Sequence, residues 1–201
     1  MAKNNNHFRK GNLWDIYDTL CDFVESDREE YLLFKYLNNK DLDSAFSVLS
    51  ECNAITAYIL IFNYIYDASK YNLFTNVYNS ADYRFNEFTD EIINKVSQLK
   101  PKKIIKILTS KADADGNLIL YRGESSESSN VIDALSWTLN RETAVWFAKR
   151  LNFSGEGYIY TSKANISHVI AYINNREEEE ILIKYEDVNI TSKDIIKIPI
   201  E

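Results

Sequence analysis

Glycine and proline are scarce in this chain, with five Gly and two Pro among 201 residues, which excludes long irregular loops, low-complexity tails and collagen-like repeats. Cysteine is equally sparse. Cys21 and Cys52 both lie in apolar helical patterns, at a spacing that suits neither a metal site nor a disulfide framework, so a reducing compartment and no metal are expected. The longest apolar stretch, Ala54 to Tyr66, is interrupted by Thr56 and Asn63. It is too short to cross a ~30 Å hydrocarbon layer as a helix and reads as a buried helix. Residues 1–11 are polar and lack the apolar segment of a secretory signal, so they are expected to form a loose leader on a cytoplasmic protein with no membrane role.

What the chain does contain is apolar and aromatic material. Hydrophobic residues make up 45%, aromatics 13% and charged residues 26%, the range of a globular protein with one large core or two small ones. The formal net charge is -7, with the acid excess mostly C-terminal, a balance that disfavours nonspecific, salt-driven binding to nucleic acid. One basic cluster, Lys100, Lys102, Lys103 and Lys106, reads as a solvated helix face beside a linker.

From Asn12 to about Ile107 apolar residues recur at helical spacing, as in Leu13, Ile16, Tyr17, Leu20 and Val24. The spacing predicts further helices near residues 28–38, 42–51, 54–68, 71–78 and 86–99, with Asp41, Asn53 and Ser80 as caps and Pro101 as the stop. After the turn Lys111 to Gly116, short β-branched and aromatic runs replace the helical period. Strands are expected at Leu118–Arg122, Leu135–Leu139, Tyr158–Thr161, Val169–Ile173, Glu180–Tyr185 and Ile195–Ile200, with one helix at Arg141–Leu151. The expected architecture is therefore α+β: a leader over 1–11, a helical lobe over 12–110 and a mainly antiparallel β-core over 111–201.

Three places in the β-core carry chemistry. In Leu118-Ile119-Leu120-Tyr121-Arg122-Gly123, alternation puts Arg122 at the end of an apolar row, and Gly123 lets another backbone come close, a setting suited to bidentate pairing with phosphate oxygens. In Ser136-Trp137-Thr138 the two hydroxyls share a face and the indole points away into packing. In Glu177-Glu178-Glu179-Glu180-Ile181-Leu182-Ile183 four acids run into an apolar strand, and period-two register would set Glu178 and Glu180 side by side. Like charges that close are destabilising, and a chain keeps them most readily where opposite charge or chemistry requires them.

An Arg ending a first strand, a Ser-x-Thr strand, then Glu-x-Glu before an aliphatic strand resembles the arginine, serine-threonine-serine, glutamate class of bacterial and phage mono-ADP-ribosyltransferases, over residues 118–185. Ser-Trp-Thr-Leu-Asn followed by Ala-Val-Trp-Phe-Ala is similar to a variant in small prophage and toxin-system members. The chain departs from the binary-toxin pattern in having Trp137 and Thr138 after Ser136, so only the first hydroxyl carries over. The resemblance implies a catalytic β-core split into two small sheets, with NAD as co-substrate bent in the cleft between them. No Gly-x-Gly-x-x-Gly marks a doubly wound dinucleotide fold. Arg122 would hold the phosphates, with Gly123, Ser136, Trp137 and Thr138 nearby, and Phe147 or Phe153 would stack on nicotinamide. Ser136 would fix Glu180, which stabilises positive charge as the ribose-nicotinamide bond opens, and Glu178 would deprotonate the acceptor. The acceptor would be a protein arginine or a base of RNA or DNA, in a toxin-antitoxin or phage-conflict setting, with an antitoxin or regulatory partner on the helical lobe. The alternative is a catalytically degenerate module of the same fold that binds NAD or a partner. His168 precedes a strand in the middle of the fold, the wrong order for the histidine class of this superfamily, and is expected to be structural or exposed.

Overall fold

A computed structural model describes residues 7–81, 85–150 and 155–198. The chain forms two compact units, Met1–Leu99 and Lys100–Glu201. No described helix is long and apolar enough to cross a membrane.

The first unit is helical: α1 (Leu13–Cys21), α2 (Asp27–Asn38), α3 (Leu42–Phe46), α4 (Ala54–Ile61), α5 (Asp67–Ser80) and α6 (Asp90–Gln98). Its starts follow capping chemistry. Ser26 accepts from the Glu29 amide at 3.3 Å, Asp41 from the Ser44 amide at 3.1 Å and Thr89 from the Ile92 amide at 3.4 Å. Ser80, expected as a cap, instead closes α5, because helical spacing continues unbroken to it. The α4 stretch is buried through Ala54, Ile55, Ala57, Tyr58 and Ile61, as its uniform hydrophobicity requires. The loose leader needs correcting at its end: Phe8 is fully buried and bridges Ile65, and Tyr66 N donates to His7 O at 2.9 Å. A buried phenylalanine ties this segment to the core, where polarity alone read it as free.

The second unit begins with α7 (Lys102–Lys111) and continues as β1 (Asn117–Glu124), β2 (Ser136–Thr138), α8 (Arg141–Lys149), β3 (Glu156–Asn165), β4 (Ala171–Ile173), β5 (Glu180–Leu182) and β6 (Asn189–Lys197). Helices precede strands along the chain, the α+β order expected. The boundary at residue 110 is corrected: α7 belongs with the strands, since Ile104, Ile107 and Leu108 pack on Leu118, Leu120, Trp137 and Ile181. Of the lysine cluster, Lys102, Lys103 and Lys106 are exposed on α7, whereas Lys100 precedes the helix and donates to Val169 O. Burial pulls the Lys100 ammonium down to about 8.

All six strands pair antiparallel in one sheet, ordered β4-β5-β2-β1-β3-β6. The two separate sheets implied by the resemblance are thus corrected to a single one. It is nonetheless nearly divided in the middle, because β1 and β2 share only the pair Tyr121↔Thr138. One face packs on α7 through Leu118 and Leu120, and the other on α8 through Tyr121 and Ile159. Asn140 starts α8 by accepting from the amides of Glu142 and Thr143 at 2.8 and 3.4 Å. The helix then lies against the sheet on its small residues, Ala144 and Ala148, both fully buried.

Candidate active site

Beyond the pair Tyr121↔Thr138 the backbone ladder between the two middle strands ends, and a cavity of about 260 Å³ opens there. Arg122, Ser136, Glu178 and Glu180, expected from the sequence as the chemical residues, all line it. Phe147 does as well, from α8, whereas Phe153 lies outside the described residues.

Glu180 opens β5 and pairs with Thr138, two positions along the ladder from Ser136↔Leu182 and on the same face. That register brings Ser136 Oγ to 2.5 Å from Glu180 Oε1, the hydroxyl donating. Burial pushes the Glu180 carboxyl above its ordinary range, and the neighbouring Glu178 charge pushes the same way. The Ser136 hydrogen bond and the charges of Arg176 and Arg122 oppose it, since they favour the carboxylate. Replacing Ser136 with Ala is therefore expected to raise the Glu180 value further and free its rotamer. An NMR titration of the Glu180 carboxyl checks this: its midpoint should move to higher pH in Ser136→Ala, and an unmoved midpoint would show that the hydroxyl does not act on Glu180.

Glu178 reaches the cavity by a different route from the one expected. The strand starts only at Glu180, so alternation cannot set the two acids in register. Residues 174–179 form a turn in which Glu177 (φ 60°) and Glu179 (φ 47°) both adopt left-handed backbone. For residues with a Cβ that form costs roughly 1–2 kcal/mol each, and such strain gathers at functional sites. Glu178, held between them, meets Arg176 Nε at 3.6 Å through Oε2.

Four expected cofactor contacts have other work. The guanidinium of Arg122 donates from Nη1 to Ser136 O and from Nη2 to both Ser129 O and Ser129 Oγ, all at 2.9 Å. It ties β2 to the loop after β1. Thr138 Oγ1 donates to Glu178 O at 2.6 Å and accepts from the Asn140 amide at 3.0 Å, so its hydroxyl pins the acid turn to the start of α8. Trp137 borders the cavity but is 1% exposed and belongs to the α7-side core. At Gly123 the backbone that comes close is protein: a Cβ there would stand 1.9 Å from Ala144 O and 2.7 Å from Ala148 N.

Sequence reading missed Tyr121, Glu127 and Arg150, which also line the cavity. Arg150 follows Phe147 by three residues, so the helical period already placed both on one side of α8. Its guanidinium lies 5.1 Å from the Trp146 ring centroid. The run Glu124 to Ser129 carries no periodicity and gave no signal for Glu127. His168 does not line the cavity; its Nδ1 meets Asp187 Oδ1 at 2.8 Å. In the helical unit, ligand atoms of His7, Asp41 and Asp43 lie within 4.8 Å of one another, but Asp41 already accepts from Ser44 and Asp43 from Asn76 at 2.9 Å.

The cavity thus holds one carboxyl poised toward its protonated form and fixed by a hydroxyl, a second carboxyl beside it, an aromatic ring and a cation. Such a set can stabilise positive charge on a substrate and move a proton. No known family model, curated protein or solved structure matches this chain.

Proposed function

We propose that this chain is an NAD-dependent mono-ADP-ribosyltransferase, cleaving the bond between nicotinamide and ribose and passing ADP-ribose to a macromolecule. The observation that carries the reading is Glu180, half-buried, held by Ser136 at 2.5 Å and accompanied by Glu178 in one cavity. At about 260 Å³, that cavity is smaller than the ~300–1,000 Å³ typical for drug-sized ligands. It suits the reacting end of NAD, with the rest of the dinucleotide along the open mouth beside Arg150. As the bond breaks, nicotinamide leaves as a neutral base and its positive charge passes to the ribose, so the chemistry asks of the protein an anion at the ribose and a base for the acceptor.

Glu180 serves as that anion once it accepts from a ribose hydroxyl, which replaces the water it has lost by burial. Ser136 fixes its rotamer. Glu178, with Arg176 beside it, takes the proton of the incoming nucleophile. Arg122 acts mainly by holding the Ser136 strand against the 125–129 loop. Acceptors consistent with the paired acids are a protein arginine or a nucleobase amine. A cytoplasmic toxin-antitoxin or phage-conflict role, with an antitoxin on the helical unit, is part of the same proposal.

A second reading draws on the engagement of Arg122 by Ser129 and Ser136, which lessens its share in phosphate binding. A degenerate relative would be stabilised by NAD against heat without turning it over. Incubating the purified chain with labelled NAD and cell lysate separates the two. Labelled macromolecule or released nicotinamide, lost in Glu180→Gln, is the expected result, and label that persists in that variant sinks the proposal. Digesting the labelled lysate with protease or nuclease then identifies the acceptor class.

A further inference from the structure

Between Glu178 and Glu180, which line the cavity, stands an acid that does not. The Glu179 carboxylate turns away to α7, where Lys111 Nζ donates to its Oε1 at 2.5 Å. Resting on the transferase reading above, we propose that Lys111, Glu179 and Asn174 are positioning residues, which hold the acid turn in the one backbone form that presents both Glu178 and Glu180 to the substrate.

The turn does not hold itself. Glu177 and Glu179 occupy left-handed backbone, and a glutamate side chain, unlike that of asparagine or aspartate, has no local hydrogen bond to offset it. Three main-chain contacts secure the inner side: Asn174 Oδ1 accepts from Glu179 N at 3.0 Å, Leu139 N donates to Glu179 O at 3.1 Å, and Thr138 Oγ1 donates to Glu178 O at 2.6 Å. Lys111 adds a charged tie from the helix side. If Glu179 relaxes to negative φ, the peptide planes on both sides of it rotate. Glu178 and Glu180 then swing apart from each other and from Ser136. Pairing with Glu179 also holds the Lys111 ammonium above its ordinary range.

An ion pair of this exposure, 34% at the lysine and 28% at the glutamate, ordinarily adds little to global stability. A structural role and a positioning role therefore separate in measurement. In the purified full chain, with nicotinamide release from NAD as the assay, Lys111→Met is expected to lower kcat ~10-fold. KM should stay within about twofold and Tm within about 2 °C. Lys111→Arg, and the swap Lys111→Glu with Glu179→Lys, should recover most of kcat, because each rebuilds the tie. Amide hydrogen exchange at Glu179 and Glu180, read without substrate, should quicken in Lys111→Met while exchange at Leu120 stays unchanged.

Unchanged kcat and exchange in Lys111→Met overturn the proposal, as does a swap no better than either single change. A loss carried by KM or by a large fall in Tm overturns it too. A wild-type chain that releases no nicotinamide overturns the transferase reading, and the exchange measurement then decides by itself whether Lys111 holds the turn.

Discussion

Glu180→Gln is expected to remove nearly all turnover and at the same time to make the protein more stable. The rate should fall on the order of 10²- to 10⁴-fold, about 3 to 5 kcal/mol of transition-state stabilisation, because glutamine keeps the shape but not the anion facing the ribose. Binding of NAD should change far less. The stability gain follows from the direction of the pKa shift. Burial raises the Glu180 value in the folded protein, so folding favours the protonated form. That contribution is fully present below the unfolded value and is lost as pH rises through the folded one. Above the unfolded value the preference for the protonated form therefore opposes folding, and glutamine removes the penalty. A gain on the order of 1 kcal/mol is common where a strained site residue is replaced. Calorimetry checks this: the Tm advantage of Glu180→Gln should shrink in acid, where wild-type Glu180 is protonated. An advantage independent of pH would mean that the carboxylate is not held at the expense of stability.

Gly123→Ala is expected to damage the fold more than any other methyl-sized change in the β-core. The added carbon would meet Ala144 O at 1.9 Å and Ala148 N at 2.7 Å, backbone atoms of α8 that cannot yield one at a time. Overpacking of this kind usually costs 1–3 kcal/mol, and contact with rigid backbone argues for about 3 or more. For a chain of this length that corresponds to a Tm lower by roughly 6–12 °C. Gly11→Ala, where nothing lies within 4 Å, serves as the neutral control. Thermal melts of the two variants decide it, and equal melting would mean that α8 can lift from β1 freely. Such lifting would also move Phe147 and Arg150, both carried by this end of the chain beside the cavity.

Local patterns made much of this molecule readable. Asn140 before a helical repeat gave α8, period-two runs located five of the six strands closely, and Asp41 gave the start of α3. The convergence of Arg122, Ser136, Glu178 and Glu180 was implied by the family resemblance, and all four line the cavity. The means of convergence was less legible. Alternation was extended two residues too far into the acid run, and it placed Glu178 by register where the chain uses a left-handed turn. No periodicity marks such a turn, because its φ angles are held by Asn174, Thr138 and Leu139, distant or out of phase in sequence.

By itself the sequence determined the helical and strand segments, the sides on which their apolar residues fall, and the residue types available for chemistry, since these depend on neighbours within a turn or a strand. Tertiary structure alone decided which elements share a core, as with α7 and the strands, and that Gly123 serves a helix. It also decided that Arg122 binds Ser129 and Ser136, and that Lys111 meets an acid far along the chain. Those outcomes follow from which surfaces exclude water together and which polar groups are left inside needing partners. Both are properties of the packed chain as a whole.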